Sequence, residues 1–87
     1  MRIKLALRHE VMGVAFPDDT SVDVASVLRS IEQKRPDVYQ RLIQAEGQSL
    51  EALTILVNGE HIRYRRGLNT ELNDGDELRI IPHIAGG

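Results

Sequence analysis

An α+β roll, with one main helix packed on one face of a mixed sheet of four to five strands, is the fold this sequence predicts. Three observations lead there. The first residues alternate apolar and polar with the period of a strand. From Ser21 the period becomes helical, and the C-terminal third returns to strands around an Asn-Gly turn. The chain has 87 residues, the length of one domain, and about 60–65% of an unfolded chain of that size can be buried. One domain over 1–87 is therefore expected, globular over 1–81 and ending in a flexible tail over 82–87.

Each element has a local reason. Over 2–8, Ile3, Leu5 and Leu7 fall on one side and Arg2, Lys4, Ala6 and Arg8 on the other, which predicts a half-buried strand. Residues 9–13 supply a turn and 14–16 a short second strand, before Pro17-Asp18-Asp19-Thr20 interrupts the chain. Val24, Val27, Leu28 and Ile31 follow helical spacing, with Ser21 or Asp23 available as N-cap. Pro36 disfavours helical geometry at Arg35, so this helix ends near Lys34. A second short helix is predicted from Asp37 to about Ala45, with Val38, Leu42 and Ile43 as its stripe and Gly47 as its left-handed cap.

The rest reads as strand. Residues 53–57 are apolar and β-prone, and Asn58-Gly59 tolerates the two positive φ angles of a type I′ hairpin turn. Residues 60–64 form the return strand. An irregular stretch over 67–76 ends at Asn73-Asp74-Gly75-Asp76, where Gly75 supplies a positive φ before the last strand, 77–81. A right-handed crossover through the helix sets the first and last strands side by side in parallel. The helix covers one face of the sheet and leaves the other open. With Leu78 and Ile80 inward, Arg79 and Ile81 point out, and Leu56 joins them beside Ala6 and Lys4. Several apolar residues grouped on a bare sheet suggest a docking surface for a partner.

Composition narrows the function. With no cysteine there is no disulfide framework, no thiolate metal site and no thiol nucleophile. A net charge of −2 and 3% aromatic residues argue against nucleic-acid binding. No run of about 18 apolar residues and no leader pattern occurs, so a cytoplasmic protein with no membrane contact is expected. His9, His61 and His83 lack paired ligand spacing, and the Asn73–Asp76 segment lacks the calcium-loop pattern, so no metal is expected. The local basic cluster, Arg63, Arg65 and Arg66 around Tyr64, reads first as a solvated strand end and second as a contact for an acidic partner surface. The chain offers no nucleophile–base pair and no phosphate-binding glycine loop, so it is not expected to be an enzyme by itself.

The run Ile55-Leu56-Val57-Asn58-Gly59-Glu60, the segment from Thr70 to Leu78, then Ile81-Pro82 and the closing Ile84-Ala85-Gly86-Gly87 resemble the MoaD/ThiS family. That family comprises the small subunit of molybdopterin synthase and the thiamine-pathway sulfur carrier, relatives of ubiquitin. The detailed likeness covers about the C-terminal third. His83 departs from the proline pair of many molybdopterin-type members, and Ile80 and Ile81 stand where phenylalanines are common. The resemblance implies a ubiquitin-like β-grasp fold and a sulfur carrier. A ubiquitin-activating-type adenylyltransferase would use ATP to adenylate the Gly87 carboxylate, sulfur would displace AMP, and the thiocarboxylate would pass to an acceptor enzyme such as the molybdopterin synthase large subunit. No cofactor would be bound by the carrier itself.

A tail that enters a water-excluding adenylation site must be thin, and glycine lets backbone approach a ligand closely. Gly86 and Ala85 give that thinness, Ile84 anchors the tail, Pro82 stiffens its exit from the last strand, and Gly87 carries the chemistry. Leu56, Arg79 and Ile81 are the candidate partner-docking residues. The leading destination is molybdopterin synthesis. Cysteine or thiamine synthesis, a ubiquitin-like protein modifier and a passive binding module are the alternatives.

Overall fold

The computed structural model describes residues 1–7, 10–45 and 53–81. The elements are β1 (Arg2–Ala6), β2 (Val11–Ala15), β3 (Val22–Asp23), α1 (Val24–Lys34), α2 (Pro36–Ala45), β4 (Thr54–Val57), β5 (Glu60–His61), β6 (Glu71–Leu72) and β7 (Glu77–Ile81). Five strands form one mixed sheet in the order β2-β1-β7-β4-β5, and β3 pairs with β6 in a separate two-stranded ladder. β1 and β7 are parallel, with Leu5 opposite Leu78, while β1–β2, β4–β7 and β4–β5 are antiparallel. This is the α+β architecture expected, and the expected β-grasp crossover is present.

The core lies between α1, with α2 beside it, and the inner face of the sheet. Ile3, Leu5, Ile55, Val57, Leu78 and Ile80 come from the strands and Val24, Val27, Leu28 and Ile31 from α1, all buried in one apolar cluster. Burying a side chain of that size stabilises the fold by about 1.5–3 kcal/mol. Val38 and Leu42 of α2 join the cluster as their spacing predicts. The expectations for Ile43 and Gly47 fall on side chains and residues outside those described.

Asp23 is the N-cap of α1: its carboxylate accepts from the Ser26 amide and from the Ser26 hydroxyl, both at 2.8 Å. The helix stops as Pro36 requires. The Arg35 amide closes the last turn on the Ile31 carbonyl at 2.7 Å, and Pro36, which needs no amide partner there, begins α2. Asn58 and Gly59 have φ of 51° and 89°, the left-handed pair that a two-residue hairpin needs. Gly75, at φ 86°, turns the chain into β7 while its amide donates to the Arg2 carbonyl at 2.8 Å. Among the described residues no helix is long and apolar enough to cross a membrane.

Four local expectations need correction. The second strand is Val11–Ala15, not 14–16, because Gly13 is an exposed strand residue opposite Lys4 and not part of a turn. The first strand ends at Ala6, and Ala6 is buried although it belongs to the open face, since its methyl lies between the longer register partners Val11 and Arg79. The return strand pairs only at Glu60–His61. Ile62 then turns inward at 7% exposure and the chain continues as a 3₁₀ turn over Ile62–Tyr64. The stretch over 67–76 holds a 3₁₀ turn, Gly67–Asn69, and strand β6, fixed by buried Thr70 and Leu72. The Thr70 hydroxyl donates to the Gly67 carbonyl at 2.7 Å, and the Thr70 carbonyl accepts from the Val24 amide at 3.1 Å, tying the loop to the start of α1.

Two substitutions test this account by urea unfolding. Leu78→Ala empties space at the centre of the cluster and is expected to cost about 2–5 kcal/mol. Asp23→Ala removes the cap alone and is expected to cost about 1 kcal/mol. An equal loss from both would show that the cap matters as much as the core and would overturn this ranking.

Candidate functional site

The face of the sheet away from α1 carries one continuous row of register partners. Val11 of β2 lies opposite Ala6 of β1, Ala6 opposite Arg79 of β7, Arg79 opposite Leu56 of β4, and Leu56 opposite His61 of β5. Strand alternation sends all five toward the same side. Leu56 and Arg79, chosen from sequence as docking residues, are thus direct neighbours. Ile81, the third, is two residues farther along β7 and opposite Thr54. Val11 is 61% exposed and Ile81 43%, while Leu56 is half-buried, so the row mixes accessible aliphatic surface with one guanidinium.

Three charges set the electrostatics beside the row. Glu77 forms an ion pair with Lys4 at 3.5 Å and accepts from Arg79 at 3.4 Å. One carboxylate serves two cations, which leaves this part of the face with positive charge in a chain whose net charge is −2. Both cations are about half exposed, so each pair is screened by water and contributes little to stability. Their positions suit contact with an acidic partner surface better than they suit holding the fold.

At the β5 end, His61 is fixed by its own backbone neighbourhood. Its Nδ1 accepts from the Arg63 amide at 3.0 Å, and its ring meets the Tyr64 ring edge-on at 6.4 Å. Arg63 lies over Tyr64 at 5.9 Å, and Arg65 pairs with Glu60 at 3.7 Å. The basic cluster is therefore built on a 3₁₀ turn and not on the strand end expected. Among the described residues no group of His, Asp or Glu is placed to hold a metal ion.

Sequence reasoning missed Val11 and His61. Val11, Gly13 and Ala15 alternate with Met12 and Val14, a signal that would have placed Val11 on the open face had Gly13 not been taken for a turn residue. His61 was legible as well, since a two-residue turn at Asn58-Gly59 sets Val57 opposite Glu60 and Leu56 opposite His61. The tail residues Pro82, Ile84, Ala85, Gly86 and Gly87 lie outside those described. Ile81, the last described residue, ends a strand flanked by β1 and β4 and adjoins the row above.

Comparison with known proteins sets this arrangement among relatives. The ThiS family profile matches residues 6–87. Small archaeal modifier protein 3 of Haloferax volcanii is 35% identical over 82 residues, covering 91% of this chain and 88% of the relative. Sulfur carrier protein CysO of Mycobacterium tuberculosis is 32% identical over 87 residues, covering 98% and 94%. Among solved structures, the BexX/CysO complex of Amycolatopsis orientalis contains a chain that superposes with a TM-score of 0.68 at 25% identity, covering 98% of this chain and 99% of that one. With the profile reaching from the end of β1 to the last residue and relatives above 30% identity along nearly its whole length, the chain belongs to the ThiS family of ubiquitin-like β-grasp sulfur carriers.

Proposed function

We propose that this chain is a non-catalytic cytoplasmic sulfur carrier whose working group is the carboxylate of Gly87. The observation that carries the reading is the position of β7. The strand that precedes the Ile84-Ala85-Gly86-Gly87 sequence runs between β1 and β4 and ends at Ile81, beside Leu56 and Arg79. A partner seated on that row would hold the body of the carrier while the six residues after Ile81 enter its active site. Six residues reach at most about 20 Å, so docking and catalysis must lie within that distance of one another.

The chemistry needs two steps. A carboxylate oxygen of Gly87 attacks the α-phosphate of ATP on a ubiquitin-activating-type adenylyltransferase, and pyrophosphate leaves. Hydrosulfide then attacks the acyl carbon, the C–O bond to AMP breaks and AMP leaves, and the thioacid loses its proton, so that the carrier ends as a thiocarboxylate. A persulfide donor would first give an acyl disulfide, which a thiol of the donor enzyme cleaves to the same product. ATP belongs to the partner, and the carrier binds no cofactor. Having no cysteine, the chain cannot attack its own activated terminus through a thiol.

Two destinations have support. The sulfur-carrier name of the Mycobacterium relative and the partner complex formed by the Amycolatopsis one favour transfer to an acceptor enzyme. The motif likeness makes molybdopterin synthase the first acceptor to try, with cysteine and thiamine routes next. The Haloferax relative's name, a modifier protein, supports a second use in which the activated Gly87 forms an isopeptide with a target lysine.

Intact-mass measurement after incubation with the host's adenylating enzyme, ATP and a sulfur source is expected to show one oxygen replaced by sulfur. Removal of Gly87 is expected to abolish the change. An unchanged mass, with the same enzyme loading another carrier in parallel, overturns the reading. Arg79→Glu tests the docking row. It is expected to slow adenylation by about tenfold while changing unfolding stability by no more than about 0.5 kcal/mol, and unaltered kinetics would remove the row from the interface.

A further inference from the structure

The two edges of the sheet are treated differently. The β5 edge is two residues long and ends in a 3₁₀ turn, a common way to blunt an edge. The β2 edge is five residues long, Val11-Met12-Gly13-Val14-Ala15, and carries neither charge nor proline. Its hydrogen-bonding direction follows from the ladder it forms with β1. Met1 and Phe16 exchange both backbone bonds, at 3.0 and 2.9 Å, and the Leu7 amide donates to the Glu10 carbonyl at 2.7 Å. Bonded and non-bonded pairs alternate in an antiparallel ladder. Ile3–Val14 and Leu5–Met12 are therefore the bonded pairs, and Val11, Gly13 and Ala15 turn their amides and carbonyls outward. Among the described residues none of these outward groups has a partner.

Beside that edge runs a groove of about 420 Å³ between β2 and the last turns of α1. Met12 and Val14 line one side, and Ser30, Ile31, Lys34 and Arg35 line the other. Arg35 is shared between Glu10 at 3.6 Å and Asp37 at 3.8 Å, whereas Lys34 is exposed and makes no ion pair with a described residue. An open ladder edge, an apolar slot and an exposed lysine on its rim define one kind of occupant.

We propose that β2 is a strand-addition site for an extended partner segment in which aliphatic residues alternate and an acidic residue flanks them. Its backbone pairs with Val11, Gly13 and Ala15, every second side chain enters the slot beside Met12 and Val14, and the acid meets Lys34. Main-chain bonds supply affinity and the slot supplies selectivity. A second copy fits less well, since two-fold pairing about Gly13 sets the Lys34–Arg35 rims of both copies over one shared groove. The site lies at the edge of the sheet and makes no use of Gly87, so it stands apart from the sulfur-transfer reading.

The probe is a synthetic peptide in which isoleucine alternates with serine between aspartate flanks, titrated into the ¹⁵N-labelled full chain. Saturable amide shifts are expected over 11–15 and 30–35. Gly13→Pro removes an outward donor but no bond of the β1–β2 ladder, and is expected to weaken binding about tenfold. Gly13→Ala, whose Cβ would meet nothing within 4 Å, is expected to bind as the parent does. Lys34→Glu is expected to weaken binding about threefold and to favour a peptide with lysine flanks, a reversal readable even if Gly13→Pro does not fold. The proposal is overturned by shifts centred on Lys4, Leu56 and Arg79, by no shifts at millimolar peptide, or by a folded Gly13→Pro that binds normally. Edge shifts that follow protein concentration without peptide would also overturn it, in favour of self-pairing.

Discussion

Because β7 pairs in parallel with β1, Leu5 opposite Leu78, the chain cannot connect its first and last strands by a turn and must cross over the sheet. Nearly everything else follows from that pairing. The crossover is α1, which covers one face of the sheet and leaves the other bare. Insertion of β7 between β1 and β4 makes the last strand an interior one, buried through Leu78 and Ile80. It also brings Lys4 against Glu77 and Ala6 against Arg79, and so assembles the row from residues far apart in the chain.

The molecule thus divides its surface by physical character. The bare face offers aliphatic side chains around a guanidinium, next to the strand from which the Gly-Gly sequence departs. The β2 edge offers outward-facing backbone groups, unpaired among the described residues, and a slot with a cationic rim. The first is suited to a flat surface and the second to a single extended segment, so the two uses need not compete. Between them, the ion pairs of Lys4, Glu77 and Arg79 are exposed enough that evolution could alter them at little cost to folding.

The parts of the fold legible in the sequence were those with strong local chemistry. Strand β7 is readable to the residue because Gly75 marks its start and Pro82 follows its end. The α1 terminus is readable from Pro36, and the hairpin turn from Asn58-Gly59, whose φ angles are those expected. Elements held by distant partners were not readable. The ladder of β3 with β6 has two residues on each side, too few for any period, and exists because Val22 and Leu72 meet across the loop. Strand β2 was shortened because an isolated glycine reads as a turn, although at an exposed edge position it costs the strand little. As for the site, Leu56, Arg79 and Ile81 could be placed on one face by alternation alone and His61 beside Leu56 by the hairpin turn, whereas the adjacency of Leu56 to Arg79 and of the row to Val11 depends on registers between separate strands. The roles of Pro82, Ile84, Ala85, Gly86 and Gly87 rest on their sequence and their likeness to a family.

The parallel neighbours β1 and β7 also hold the first and last strands of the chain side by side. Force applied at the two ends of the molecule, or by a machine that grips the C-terminal tail while the body is held near β1, acts along these strands in opposite senses. The backbone bonds between them are then loaded together in shear and cannot be unzipped one after another from an end. Resistance to pulling is consequently high along the shared axis of β1 and β7, so that mechanical durability comes from the same pairing that sets the topology.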